Sequence, residues 1–299
     1  MATNSALFTP LYAPGLRKIV FDGYTELPAE YDKIFNVSSV DKRQYLDDYK
    51  MAGLGNVPVK AEGTAIVYDD PVPGTTKRYS WTPYGKGFRA THEAMVDELY
   101  GPLRRMAKSM GRSFRNQVEL TAAAVLNNAF TTNGGFDSLP LCSTAHTLLR
   151  GGTARNRPTA AVDFGVTALQ DALIDFERML DDASMPIAYR AKTLVIPPET
   201  WPQAREVLGS QFKPYTADNE INVLASEGLT ILVSHYMTDT DAWFLLADKS
   251  DHDLQFFWRE KFVTDSADDF DTGDGKMKGY MRIAADFGDW RGVWGSPGV

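Results

Sequence analysis

An α+β architecture follows from three features of this 299-residue sequence. Residues 103–129 carry one apolar stripe at helical spacing. Residues 254–262 and 277–285 alternate apolar and polar side chains with a period of two. Between them, residues 160–248 interleave helical stripes with short apolar runs bounded by turn residues. A helix buries a stripe and a half-covered sheet buries one face, so the long helix and the two alternating segments suit each other.

Composition narrows the class of function. Hydrophobic residues are 43% and charged residues 23% of the chain, enough apolar material for a sizeable core. The N-terminus "MATNSALFTPLYAPG" has no basic head followed by an apolar run, so no secretory signal is expected. No apolar run is long enough to span a bilayer, so no membrane partner is expected. The single cysteine excludes an intramolecular disulfide framework and fits a reducing cytoplasm. The formal charge of −8 argues against a dedicated nucleic-acid reader with a strong overall basic field.

The elements follow in order. Residues 1–50 mix prolines (Pro10, Pro14, Pro28) with aromatics and read as an arm, with a short helix around residues 40–50. In the Gly-, Pro- and Thr-rich segment that follows, "AIVY" (65–68) and "KRYSW" (77–81) read as strands joined by the turn "DDPVPGTT" (69–76). Two strands alone are marginal in water, so this extended hairpin should lie on a core or a neighbouring subunit. Its aromatics Tyr68, Tyr79, Trp81, Tyr84 and Phe88 have no obvious partner in the chain and are the candidate subunit-interface residues.

The helical region runs from Thr91 to Thr132, with Pro102 suited to a first turn and "NGG" (133–135) as its stop. Its stripe is Leu103, Met106, Met110, Phe114 and Val118, continued by Ala122, Val125 and Ala129, over roughly 45 Å. The other face carries Arg104, Arg105, Lys108, Arg112 and Arg115, which reads as a solvated face paired with acidic neighbours rather than an anion-binding surface. Asp163 is the expected cap of a helix with the stripe Val166, Leu169, Leu173, Phe176 and Leu180. Strands are expected at 192–198, 229–236 and 242–248, with a short helix at 199–210. Leu254, Phe256, Trp258 and Phe262, then Met277, Met281 and Ile283, form the apolar faces of two long antiparallel strands, expected to cover the Phe114 stripe.

Candidate chemistry is sparse. The acidic loop "TDSADDFDTGDGK", with Asp265, Asp268, Asp269, Asp271 and Asp274, fails the EF-hand pattern. Counted from Asp269, Gly273, Asp274 and Tyr280 stand where a ligand, a glycine and a glutamate are needed. "GLGNVP" (53–58) lacks the third glycine of a dinucleotide fingerprint, and His92, His146, His235 and His252 are too scattered for zinc. Cys142 and His146, four apart in "LPLCSTAHTLLRGG", form the one candidate cysteine-hydrolase pair. Pro140 before them and Gly151–Gly152 after them argue against the helix that would bring them together. The bland reading is a small buried cysteine. No catalytic, cofactor-binding or metal-binding residue is assigned.

Eight stretches run almost end to end: "APGLRKIVFDGYTELPAEYDKIFNV" (13–37), "TKRYSWTPYGKGFRAT" (76–91), "LYGPLRRM" (99–106), "AAAVLNNAF" (122–130), "LPLCSTAHT" (139–147), "AKTLVIPPETW" (191–201), "DTDAWFLLAD" (239–248) and "DWRGVWGS" (289–296). In this order they resemble the major capsid proteins of tailed bacteriophages, in the group similar to the Mu major head subunit. The resemblance implies the Hong Kong 97-type capsid fold. It divides the chain into an N-terminal arm (1–52), an extended loop or β-hairpin (53–90), a peripheral domain with the spine helix (91–159), an axial domain (160–248) and the long strands of the peripheral domain (249–299).

The resemblance further implies a structural protein that assembles with itself into hexamers and pentamers of an icosahedral shell around double-stranded DNA. That shell is made in the bacterial cytoplasm and ends in the virion. It implies a portal protein at one vertex and admits a decoration protein. No charged helical segment precedes the arm, so scaffolding is expected to be a separate protein. Lys60, Lys77 and Lys86 lie in the hairpin region, but no crosslink between subunits is predicted. The competing readings are an encapsulin-like compartment shell and the Cys142/His146 hydrolase.

Overall fold

A computed structural model describes residues 9–91, 93, 100–212, 214, 220–269 and 271–299. The arm contributes α1 (Thr9–Thr25), α2 (Tyr31–Ile34) and β1 (Asn36–Ser39). β2 (Tyr45–Ala52), β3 (Val72–Ser80) and β4 (Thr82–Ala90) precede the spine α3 (Tyr100–Asn127). Two short ladders follow, β5 (Asn133–Gly134) with β6 (Leu139–Pro140) and β7 (His146–Thr147) with β8 (Thr153–Ala154). Then come α4 (Val166–Glu177), β9 (Thr193–Ile196), α5 (Trp201–Gly209), β10 (Thr230–Val233) and β11 (Trp243–Leu246). The chain closes with β12 (Leu254–Asp268), β13 (Gly275–Phe287) and β14 (Val293–Ser296).

The 28-residue spine is about 42 Å long. Leu103, Met110, Phe114, Val118 and Ala122 are buried, as the stripe predicts. Met106 is not: it is 42% exposed, and Ala107 is buried in its place. The cause is a second partner. α1 packs on the flank of α3 in backbone contact, so that a Cβ on Gly111 would stand 2.0 Å from the Val20 carbonyl oxygen. That contact rotates the buried face toward Ala107 and Gly111. α1 itself was hidden in the sequence by Pro10, Pro14, Gly15 and Gly23. Pro10 falls in the first turn, where proline is tolerated, and Gly23 permits the close approach to Lys108 of the spine.

The long sheet has the order β1-β12-β13-β4, with β1 parallel to β12 and the other pairs antiparallel. Its inner face carries Phe256, Trp258, Phe262, Met277, Met281 and Ile283 in one core with Met110, Phe114 and Val118. Phe114 stacks obliquely on Phe262 with ring centroids 4.5 Å apart. The expected covering of the spine by the C-terminal strands is therefore what the structure contains.

The hairpin differs from expectation. Residues 65–68 form no strand, and residues 69–76 are not its turn. Its arms are β2 and β3, paired from Tyr45↔Ser80 to Ala52↔Val72, and residues 53–71 are the connecting loop. Residues 40–50 hold no helix, because Leu46 and its neighbours pair across to Tyr79 and Arg78 instead of along their own segment. β4, the second half of the expected extended segment, lies at the edge of the long sheet against β13.

The compact unit has a sheet of order β10-β9-β11-β14, with α4 and α5 contributing to its core. β9 and β10 are parallel, and β11 is antiparallel to both β9 and β14. Residues 249–299, assigned whole to the peripheral domain, thus divide: β12 and β13 join the long sheet, whereas Trp290, Trp294 and β14 complete the compact unit. Gly165, not Asp163, precedes α4; Asp163 accepts the Val299 N–H at 2.8 Å. α4 ends at Glu177, so Leu180 lies beyond it.

Candidate assembly surface

The five aromatic candidates separate into two groups. Tyr79 and Trp81 are buried against Phe257, with ring centroids 5.0 and 5.5 Å away. The Trp81 Nε1–H donates to the Arg43 carbonyl at 3.0 Å. Tyr84 and Phe88, on β4, are half-buried against the main core. The expectation that this segment lacks a partner in its own chain fails for these four: their partners are β12 and the spine, more than twenty residues distant in sequence. Tyr68 is different. It is 92% exposed, in the loop between β2 and β3.

That loop is where apolar surface is left uncovered. Val57 is 95% and Val59 100% exposed, and Ile66 and Val67 are exposed beside Tyr68. Each places an apolar side chain in water. The sequence signal was present as "VPV" and "AIVY" in a Gly- and Pro-rich segment, but it reads equally as strand. The ends of the loop are fixed. Asp69 accepts the Gly55 N–H at 2.8 Å. Arg150 donates to the Gly53 carbonyl at 3.1 Å and to the Asp70 carbonyl at 2.9 Å, and its Nη2 lies 3.0 Å from the Asp69 carboxylate.

Below the loop sits a charged ring that sequence reading missed. Lys50 Nζ lies 2.9 Å from both Asp182 and Asp289. Arg291 reaches Asp182 at 3.1 Å and Asp289 at 2.9 Å. Burial pushes the Asp289 carboxyl up, but Arg291 and Lys50 outweigh it and hold the group below its ordinary value. Four residues spread over 240 positions leave no spacing pattern to detect.

The remaining candidates resolve simply. On the basic face, Lys108 and Arg112 pair with Glu26 of the arm at 2.9 and 2.6 Å, the paired reading expected. Arg115 is buried, beside Glu119 and over the Tyr24 and Tyr31 rings. In the acidic loop, Asp269 pairs with Lys276 and Asp274 lies 3.4 Å from Arg89. Among the described residues no group of three His, Cys, Asp or Glu side chains could hold a metal; His92 and the Asp268 side chain lie outside them.

Cys142 is fully buried, and burial pushes its thiol pKa up, the opposite of an activated nucleophile. His146 is turned to other partners. Its Nδ1 faces Asp137 at 2.5 Å, and its Nε2 lies 3.0 Å from the Asn156 side-chain oxygen. Asn156 donates to the Leu141 and Val293 carbonyls, which fixes that oxygen as an acceptor. The imidazole stacks on Trp290 with centroids 4.3 Å apart. The two residues do not form a dyad; the His146 network fastens the chain after the spine to the segment that carries β14.

Known proteins agree with this architecture. Residues 74–296 match the model of a family described as phage capsid protein, about three quarters of the chain. No curated protein matches the sequence. Among solved structures, the chain is similar to the mature capsid of bacteriophage PhiM1, with a TM-score of 0.61 at 11% identity over 90% of this chain and 86% of that one. It is similar to the procapsid of bacteriophage JBD30, with a TM-score of 0.53 at 14% identity over 98% and 75%. It is also similar to a virus-like particle from Pyrococcus furiosus, with a TM-score of 0.54 at 12% identity over 95% and 99%. At these identities the structural matches establish the fold, shared by phage heads and a virus-like particle alike. The family match separates the two readings, and by it this chain belongs to the phage capsid protein family, as a structural subunit of the major-capsid type with the Hong Kong 97-type fold.

Proposed function

We propose that this protein assembles with copies of itself into the hexamers and pentamers of an icosahedral head that encloses double-stranded DNA. In this reading the loop 53–71 and the β2–β3 hairpin form the element through which one subunit holds the next. The observation that carries it is the exposed apolar set Val57, Val59, Ile66, Val67 and Tyr68 on a loop whose ends are fastened. A soluble chain gains nothing from five apolar side chains held in water, whereas a subunit buries them on contact. Of the five aromatics first singled out, Tyr68 is the interface anchor; Tyr79, Trp81, Tyr84 and Phe88 shape the root from which it projects. A portal protein and a separate scaffolding protein complete the head in this reading, which admits a decoration protein, with assembly in the host cytoplasm.

Electron microscopy of the purified protein tests the proposal. Closed icosahedral particles are expected from the wild type. Val59→Ser with Tyr68→Ser is expected to lower particle yield at least tenfold while leaving the denaturation midpoint of the unassembled subunit unchanged. Normal particle yield from that variant would remove the loop from the interface.

A further inference from the structure

Two of the places at which the β2–β3 hairpin touches the body of the subunit differ in chemistry. At its root, Tyr79 and Trp81 pack on Phe257. Toward its loop end, Lys50 enters the ring with Asp182, Arg291 and Asp289. Lys50 is the only member that belongs to the hairpin. Asp182 follows α4, while Asp289 and Arg291 lie between β13 and β14. Charges alternate around the ring, and each carboxylate touches both cations. Arg291 is further fixed by donating Nε–H to the Leu180 carbonyl at 2.7 Å and by lying 4.7 Å over the Trp290 ring.

We propose that this ring is a latch that sets the angle of the hairpin on the subunit body, with the Tyr79–Trp81–Phe257 contact as its pivot. An apolar contact between rings has little directional preference and permits rocking. A lysine held between two carboxylates at one distance from each does not. The body owns two negative charges and one positive charge at this point, so its partly buried carboxylates are balanced only while Lys50 is docked. With Lys50 withdrawn, Arg291 alone would face two carboxylates, and that surplus negative charge draws the lysine back. Two further contacts lie on the same side: Lys77 of β3 pairs with Asp286 at 2.8 Å, and the Thr75 hydroxyl donates to the Phe136 carbonyl. These are single contacts, and Arg150 holds the ends of the loop beyond the hairpin rather than its strands, so they restrain the hairpin without defining its angle.

The latch is a property of one chain. Its consequence, that the loop is offered to the next subunit at a set angle, rests on the interface reading proposed above. The test therefore measures both. Nitroxide labels on Thr76→Cys of the hairpin and Val263→Cys of β12 report the angle as a distance distribution in the full-length, unassembled subunit. Both sites are exposed, and the native Cys142 is fully buried. Lys50→Met should at least double the width of the distribution, and Lys50→Arg should leave it near that of the parent. Lys50→Met with Asp289→Asn removes the surplus charge along with the tie, keeps Arg291 paired with Asp182, and should broaden the distribution equally. An unchanged width in both methionine variants would overturn the latch. Loss of β12–β13 amide protection in both would overturn it too, since Lys50 would then serve the folding of the body. A broadened distribution with normal particles would leave the latch standing and remove the hairpin from the interface.

Discussion

Truncating Phe114 to alanine opens a hole that its surroundings cannot refill. The ring is 3% exposed and faces Gly279 of β13, which has no side chain to move into the space. Its other neighbour, Phe262, is a rigid ring already in contact at 4.5 Å. The loss should therefore be about 3–5 kcal/mol, the range for a buried Phe→Ala whose site does not collapse. The same geometry makes the reverse substitution informative. A Cβ on Gly279 would stand 2.6 Å from Phe114 Cε2 and 2.8 Å from Phe262 Cε2, so Gly279→Ala alone should cost about 1–3 kcal/mol by overpacking. In the Phe114→Ala background the closest of those clashes is gone and the new methyl enters the hole. The double variant should then be at least about 1 kcal/mol more stable than the sum of the single effects, a coupling expected only of side chains in contact. Urea unfolding of the unassembled subunit, followed by tryptophan fluorescence, measures all three. Additivity within about 0.5 kcal/mol would refute the packing of the spine on β13 at this point.

Trp81→Ala should destabilise the free subunit by about 3–5 kcal/mol, because it empties the contact with Phe257; an unchanged denaturation midpoint would return Trp81 to the shell interface. His252 is held neutral: burial first, and Lys249 next, push its pKa down to about 4, and its Nδ1 accepts the Leu254 N–H at 3.3 Å. The unfolded chain takes up a proton that the fold refuses, so this contribution is complete above about pH 6.5 and is lost as pH falls toward 4, on the order of 3 kcal/mol in all. His252→Asn should flatten that stretch of the stability–pH curve; an unaltered slope would show that other groups set it. The unassembled subunit, at a formal −8, should bind duplex DNA only weakly at physiological salt, and nanomolar affinity in a filter or anisotropy assay would contradict the charge argument.

What could be read from the residues depended on how local the cause was. The spine and the strands β12 and β13 were legible because one buried face imposes one period, 3.6 or 2, on consecutive residues. The burial of Ala107 in place of Met106 was not, because it depends on α1, whose prolines and glycines hide its helicity. β2 was mistaken for helix and 65–68 for strand because pairing across a nineteen-residue loop leaves no local mark. Of the candidate site only its place, an aromatic, Gly- and Pro-rich segment, was legible; that four of its five aromatics have partners in their own chain was not. Which aromatics face inward could not be foreseen, since Phe257, which covers Tyr79 and Trp81, arrives from the far end of the chain. The Lys50 ring was silent for the same reason.

The sheet order has a bearing on when a subunit becomes competent. β1 and β4 wait for β12 and β13, and β11 waits for β14. The long sheet lacks two of its strands until residue 287 has been made, and the compact sheet lacks its edge strand until residue 296 has been made. A growing chain that has not reached these residues therefore carries a spine without its sheet and a compact unit without its last strand. Contacts so distant in sequence are slow to form, so both cores close late in folding. The order of synthesis thus works as a timer: a chain short of these strands has no finished body, and the surface it presents is not yet that of the folded subunit.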